Sequence, residues 1–448
     1  MSVLNFFRRK DSQPVSLPTP QPQRRVDTYS NVLTGIGMAQ YDARMSTRFS
    51  ADRTLTRAEC AAYYRSEGIA RRIVELPANE MTREWLDVDG DTDGLVLSEH
   101  SRLGVKSAFR DMIRWSKAFG GSLCVMGSDD GQTLDQPLYE AGLRKIHFLQ
   151  VFDRWRVQWQ SSDIYSDPRH PRFGQPQTYQ VTPITGSYFR VHESRCLKLD
   201  GQALPDLDRQ NNQGWGDSVY QALHDRLRML GAIYADVEVI CDKFIQGVLK
   251  SAGIKDADAM GDEGTAMITQ KMQMLDMAMH LLNTVLIDKD EEYTRIVSSV
   301  AGLPEIIDRF AQAVSSVSGI PITLLMGRSP AGLNATGDSD IRNWYDKVSS
   351  EQEEALLDPV NQLNRLIYLQ KDGPFRGKIP AEGGGIIFRP LWQMSDKETA
   401  DLRKTVAETD AIYLANGVLD PDEVAASRFG GDTYSMETSI DAEARGNE

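Results

Sequence analysis

The sequence predicts an α+β fold, and three observations carry that expectation. Apolar residues recur at helical spacing over two long stretches, 215–244 and 339–370. Between 146 and 199, short β-branched and aromatic runs alternate with turn residues, the pattern of a strand-rich region. A polar, glycine-punctuated loop, Gly327 to Gly337, separates a helical segment from the second long helix. The chain has 448 residues, 41% hydrophobic and 25% charged, which suits two to four folded, domain-sized units.

Residues 1–50 read as an arm. Prolines and glutamines over 14–23 favour extended, poorly packed chain. Order begins at Thr56, where Thr56 and Glu59 form the Ser/Thr-x-x-Glu pattern that caps a helix. That helix is expected to reach about Arg65. A second covers Ile69 to Leu76 and stops before Pro77, and Trp85 to Val88 reads as a strand. Leu103 to Phe119 is helical, broken by Gly120-Gly121, and Ser122 to Met126 is a buried strand. Strands follow at 148–152, 156–159, 178–181, 188–191 and 196–199. Trp215 begins a long helix with apolar positions 219, 223, 227, 230, 233/234, 237 and 240/241.

The stretch 245–300 is a mixed insert. It has strand candidates at 248–250, 284–287 and 294–298 around a methionine-rich helix at 265–282. A helix over 304–318 leads through the apolar run 322–326 into the loop. The helix after the loop contains Pro359, which removes one backbone hydrogen bond and predicts a bend. A short strand is expected at 386–388. A capping box at Ser395 to Glu398 opens a helix to about Ala415, capped by Gly417, and a shorter helix starts at Pro421.

Composition excludes several function classes. With 50 basic against 64 acidic residues the net charge is −14, unsuited to tight nonspecific binding of phosphates. Such a wall can still surround DNA loosely, because like charges repel. Cys60, Cys124, Cys196 and Cys241 form no CxxC pair, so free thiols are expected rather than zinc or redox chemistry. No apolar run is long enough for a membrane helix, and the N-terminus lacks the apolar core of a secretion signal, so assembly in a cytoplasm and no membrane partner are expected.

The chemistry-bearing motifs are weak. Asp89 to Gly94 imitates a calcium loop, but His100 stands at the twelfth position where a bidentate Glu is required; an acidic turn is the better reading. His192-Glu193-Ser194 has the His-x-Ser form of some phosphoesterases, yet no second His-x-Ser/Thr exists to pair with it. Trp155 and Trp159 alternating with Arg154 and Arg156 suggest a strand with one buried aromatic face rather than base stacking. No glycine cluster forms a phosphate-binding loop, and no catalytic set, metal site or cofactor is expected. The methionines at 260, 267, 272, 274, 277 and 279 suit either an adaptable contact surface or core packing, and spacing leaves both open.

Several stretches together resemble portal proteins of tailed bacteriophages. They are Arg71-Arg72-Ile73-Val74-Glu75-Leu76-Pro77, Trp115-Ser116-Lys117-Ala118-Phe119-Gly120-Gly121, Phe152-Asp153-Arg154, Val191-His192-Glu193-Ser194-Arg195, Gly214-Trp215-Gly216-Asp217-Ser218-Val219 and Asn334-Ala335-Thr336-Gly337, in an order spanning roughly residues 30 to 430. The resemblance implies a portal-type fold: an α/β wing, a two-helix stem, an α/β clip inserted between the stem helices, a long kinked helix and a small helical crown. On this sequence these become a wing over 51–214, stem helices over 215–244 and 303–325, a clip over 245–302, and a tunnel loop over 326–338. The kinked helix and the end of the wing occupy 339–394, and the crown and tail 395–448.

The same resemblance implies a homo-oligomeric ring, usually of twelve subunits, at one capsid vertex of the virion. Double-stranded DNA passes through it in packaging and ejection. Implied partners are the terminase large subunit, a head-tail adaptor and the major capsid protein. Arg328, the loop's one cation, with Ser329, Asn334 and Thr336, would then meet the DNA backbone. Pro359 would bend the returning helix, and Met272, Met274, Met277 and Met279 would contact the adaptor or terminase. Two rival functions are a phosphoesterase that destroys cyclic-nucleotide immune signals, as some relatives in this group carry, and an internal scaffold or minor capsid protein.

Overall fold

The computed structural model describes residues 54–91, 93–242, 245–250, 261–282, 292–297, 302–327, 338–380, 384–392 and 396–429. Contacts divide the chain into Met1–Thr54 and Leu55–Glu448, and every element below belongs to the second unit. The arm over 1–50, the expected strand at 284–287, Ser395 and the tail after Thr438 lie outside the described residues.

Helix α1, Arg57–Ser66, starts with both halves of the expected capping box: Thr56 accepts from the Glu59 backbone N–H, and the Glu59 side chain accepts from that of Thr56. Helix α2, Gly68–Arg83, does not stop at Pro77 but carries it inside. Ala70, Ile73, Val74, Pro77, Ala78 and Met81 are all buried at helical spacing, and this continuous apolar face outweighs one missing hydrogen bond. The expected helix from Leu103 to Phe119 stands, starting at Val105, and an unforeseen helix precedes it. α3, Leu95–Leu103, and α4, Val105–Phe119, meet at Gly104, whose φ of 63° is the left-handed region.

Strand β1, Leu86–Val88, pairs antiparallel with β10, Ile386–Phe388, joining distant parts of the sequence. A three-stranded antiparallel sheet has the order β3-β2-β7, from β2 Gly121–Asp129, β3 Lys145–Asp153 and β7 Cys196–Asp200. A smaller one has the order β4-β5-β6, from β4 Val157–Gln158, β5 Thr178–Val181 and β6 Phe189–His192. The expected alternating strand at 156–159 is mostly absent. Arg154–Arg156 is a 3-10 turn that buries Arg154 and leaves Trp155 exposed, with the guanidinium 4.5 Å above the Trp155 ring. Buried Arg154 donates to the Gly216 carbonyl, and that bond rather than strand periodicity sets which side chain points inward.

β2 divides two cores by period-two alternation. Cys124 and Met126 face the main core with Phe109, Met112, Tyr220, Leu363 and Ile367, whereas Leu123 and Val125 face Phe152, Val157, Tyr179, Val191 and Trp215. Trp215 is therefore a core residue outside any helix, and the long helix starts later than expected, as α6, Val219–Asp242, after a short unforeseen helix α5, Asp206–Asn211. Gly121 makes room for it: a Cβ there would lie 2.2 Å from the Trp215 ring.

The remaining elements are β8 Ile245–Lys250, α7 Asp262–Leu282, β9 Glu292–Val297, α8 Leu303–Ser318, α9 Ile322–Met326, α10 Asp338–Leu369, α11 Asp396–Ala415 and α12 Pro421–Phe429. α10 lays Trp344, Val348, Gln352, Leu356, Val360, Leu363 and Ile367 into the core and remains helical through Pro359. α11 ends as expected at Gly417, where φ is 66° and the Val418 N–H reaches back to the Tyr413 carbonyl.

Candidate functional site

Along the sequence, the residues expected to act fall between α6 and α8, in the segment after α9 and on α10. The base of α6 is fixed to the body. Ser218 Oγ accepts from the Tyr220 N–H and donates to the Ala118 carbonyl at 2.7 Å, while the Tyr220 hydroxyl donates to the Ala70 carbonyl at 3.1 Å. Tyr63 Oη lies 2.7 Å from His224 Nδ1. Up to Leu230 the apolar stripe is buried: Leu223, Leu227 and Leu230 are all under 5% exposed. Beyond it the stripe continues in register but leaves the core. Ile233, Val237 and Ile240 are half-buried, Tyr234 is 45% and Val239 50% exposed, and no residue from 231 to 241 is buried.

α8 packs along α6 and shows the same change. Ala311 and Val314 are buried near its C-terminal end, whereas Ile306 toward its start is 48% exposed. Its C-terminus is well tied. Gly319 (φ 64°) donates to the Ser315 carbonyl, and the Lys347 ammonium donates to the Gly319 carbonyl at 3.3 Å, a cation at the negative end of the helix dipole.

Between α6 and α8 the chain leaves and returns through β8 and β9, paired antiparallel from Ile245↔Val297 to Lys250↔Glu292. α7 lies between these strands in the sequence. Met267, Met272, Met274 and Met277 are 56–67% exposed, which overturns core packing as the role of these four. Met279 lies in α7, its side chain outside the described set, as is Met260.

The loop residues Arg328, Ser329, Asn334 and Thr336 lie outside the described residues. Their flanks are described: Gly327 ends α9 in the left-handed region at φ 69°, and α10 starts at Asp338. The loop is thus held at both ends by helices. Pro359 is half-buried on α10, facing a cleft.

The weak motifs resolve into structural roles. Asp91 caps α3, accepting from the N–H groups of Leu95, Val96 and Leu97, and no His/Cys/Asp/Glu cluster fit for a metal ion occurs among the described residues. His192 caps the turn Glu193–Arg195 and lies 2.9 Å from Ser194 Oγ; burial, with help from nearby Arg195 and Arg172, pushes its imidazole pKa down. The four cysteines are free; Cys60, Cys124 and Cys196 are buried, and burial pushes the Cys124 thiol up to about 12, which makes it inert. Among the described residues no helix is long and apolar enough to cross a membrane.

Sequence reasoning missed two features. The first is a fully buried ion pair, Arg195 with Asp130 at 2.6 Å, whose partners are 65 residues apart and show no local signal. The second is the cleft beside Pro359, whose walls come from five separate stretches of sequence.

Residues 58–412 match the phage portal protein family. Two similar curated relatives are both named anti-CBASS protein Acb1. The one from Caulobacter sp. (strain RHG1) is 26% identical over 86% of this chain and 62% of its own length. The one from Sphingomonas paeninsulae is 28% identical over 89% of this chain and 64% of its own length. The chain therefore spans under two thirds of each. Among solved structures, a chain in the neck of an empty gene transfer agent (GTA) particle, computed with C6 symmetry, superposes with a TM-score of 0.50 at 16% identity, over 84% of this chain and 95% of that one. That likeness concerns the mixed helix-and-sheet fold. The match over 58–412 covers most of the sequence, and the chain belongs to the phage portal protein family.

Proposed function

We propose that this chain is a portal subunit: copies form a ring, of twelve by the family resemblance, at one vertex of the capsid, and double-stranded DNA passes through its lumen during packaging and ejection. The observation that carries the reading is the apolar stripe of α6 that leaves the core after Leu230 and continues, exposed, to the end of the helix, with Ile306 of α8 exposed as well. A single copy leaves that surface in water, and neighbouring copies around a ring would bury it. In this reading 51–214 is the wing, α6 and α8 are the stem, 245–302 the clip, 326–338 the tunnel loop and 395–448 the crown and tail.

The exposed methionines of α7 give the clip a polarizable surface that can repack against more than one partner. Terminase and a head-tail adaptor, docking in turn, are the partners this suits; the major capsid protein would surround the wing. The acidic net charge keeps the channel wall from gripping DNA, leaving Arg328, Ser329, Asn334 and Thr336 to touch phosphates transiently. Negative-stain microscopy of purified protein is the test. Closed rings with an open centre support the reading. A monodisperse monomer at high concentration would sink it, and would favour an internal scaffold or minor capsid role.

A second, enzymatic reading follows from the names of the two curated relatives. Four of the five histidines whose side chains are described are engaged separately: His100 with Asn364, His224 with Tyr63, His192 with Ser194, and His170 stacked on Tyr165, whereas His147 is exposed on β3. None of these contacts brings two histidines together as acid and base. Hydrolysis of a cyclic dinucleotide by purified protein would establish this reading instead.

A further inference from the structure

A cleft of about 1110 Å³ opens between the small sheet, α5 and α10. One wall is aromatic and apolar: Trp159, Ile164, Phe173, Pro176 and Tyr179, faced by Pro359 of α10. Phe173 is 55% exposed, an aromatic ring held out toward solvent among the described residues. The Trp159 ring is fixed, because its indole N–H donates to the Gln213 carbonyl at 3.1 Å.

The polar groups of the cleft are unevenly satisfied. Lys198 and Arg209 both turn to Asp200, at 2.8 and 2.6 Å, and Arg172 is taken by Glu193. Asp206 and Asp358 line the same cleft, are exposed, and have no ion-pair partner among the described residues. The rim thus carries two carboxylates outside any ion pair beside the aromatic wall, and the charged side chains lining the cleft, three basic and four acidic, sum to one negative charge. Gln210 and Gln362 add amide donors.

This chain contains a segment of matching chemistry. Residues 13–25 read Gln-Pro-Val-Ser-Leu-Pro-Thr-Pro-Gln-Pro-Gln-Arg-Arg, with prolines at 14, 18, 20 and 22 and two arginines at the end. Prolines at this density favour the polyproline II helix, whose backbone carbonyls are free to accept and whose ordering costs little entropy. Aromatic-lined grooves are the usual receptors for that helix. Arg24 and Arg25 complement Asp206 and Asp358.

We infer that this cleft docks residues 13–25 of a second copy of the chain, prolines against Trp159 and Phe173 and the arginines over the acidic rim. About 29 residues separate Arg25 from Leu55, enough when extended to span roughly 95 Å, so a neighbouring copy is within reach. Arms exchanged in this way tie each subunit of a ring to the next. The choice of a second copy as donor rests on the ring reading above; the ligand chemistry of the cleft does not.

The test uses the full chain with Pro14, Pro18, Pro20 and Pro22 replaced by Ala, so that its own segment does not compete, and a labelled peptide of residues 13–25. Saturable binding by fluorescence polarisation is expected, weakened at least tenfold by Phe173→Ala and by the pair Asp206→Asn and Asp358→Asn, and weakened by added salt. Absence of saturable binding at millimolar peptide, or binding indifferent to these substitutions in variants that melt normally, overturns the inference. The donor is tested in a Cys241→Ser background carrying Pro20→Cys and Gln362→Cys. An interchain disulfide on a non-reducing gel supports a second copy, and a purely intrachain one overturns it. Rings that form without the interchain disulfide would defeat the docking alone. Peptide binding without rings would defeat the ring reading while upholding the ligand chemistry of the cleft.

Discussion

Arg195 and Asp130 lie 2.6 Å apart with both side chains wholly withdrawn from solvent. Arg195 also donates to Ser128 Oγ and to the carbonyls of Gln136 and Pro137, and Asp130 accepts from the Tyr139 and Gln132 N–H groups. The pair fastens the 130–139 loop to the turn that enters β7. Burial alone pushes the Asp130 carboxyl up, but the hydrogen bonds from Arg195 and from the Tyr139 and Gln132 N–H groups prevail and hold it below its ordinary value.

Removing one partner leaves the other charge buried and unpaired. Arg195→Met is therefore expected to cost about 3–5 kcal/mol by chemical denaturation, with Asp130→Asn less severe because the amide keeps an acceptor. Because the folded Asp130 pKa is depressed, its contribution is present above the unfolded value of ~3.9 and is lost as pH falls through the folded value. Equal stability of Arg195→Met and the parent protein would contradict this account.

His100 carries a second pH dependence. Its Nε2 lies 2.6 Å from Asn364 Oδ1, joining α3 to α10, and burial pushes its pKa down although Asn364, Asp91 and Glu99 act in the opposite direction. A buried imidazole that stays neutral favours the folded state above the unfolded pKa of ~6.5, and this contribution is lost as pH falls below it. Urea midpoints at pH 7.5 and 5.5 should differ more for the parent than for His100→Gln, whose amide cannot take up a proton.

The glycines where β2, β7 and the Trp215 loop meet allow backbones to touch. A methyl group at Gly201 would lie 2.3 Å from the Asp217 carbonyl oxygen and 2.5 Å from the Gly120 Cα, both backbone atoms that cannot rotate away. Gly201→Ala should lower stability by about 1–3 kcal/mol or more, as overpacking does. Gly131→Ala, at a site with open space but a φ of 78°, should cost less. Thermal melting of the two variants orders them directly.

Tyr234 and Val239 face solvent on α6, so Tyr234→Asp with Val239→Asp should leave the melting of an isolated subunit within about 0.5 kcal/mol of the parent. The same change should abolish rings in the microscope. Rings that survive it would place the interface elsewhere.

Arg328→Glu replaces the loop's single cation with an anion. Rings should form normally while DNA packaging or retention falls. Unchanged packaging would assign any contact with DNA to the backbone of the loop.

Much of the chain was legible because its signals are local. The capping box at Thr56 and Glu59, the apolar period of α6 and α10 and the Gly417 cap each lie within a few residues, and each stands in the structure. Tertiary contacts decided the rest. Pro77 reads as a stop, yet a buried face on both sides of it carries α2 through. Trp215 reads as the start of a helix, yet Gly121, 94 residues earlier in the sequence, leaves the space that holds its ring. Trp155 reads as the inward side of a strand, yet the bond from Arg154 to Gly216 turns it outward.

The sequence alone determined the mixture of helix and sheet, the order of most elements and the resemblance to portals, because periodicity, caps and short motifs are properties of neighbouring residues. Only the tertiary structure decided that the α6 stripe outruns the core and that Met267, Met272, Met274 and Met277 of α7 are exposed. It also decided that Arg195 finds Asp130 and that α10 closes one side of a cleft. Burial and charge pairing depend on which distant segments meet, and no local pattern encodes that meeting.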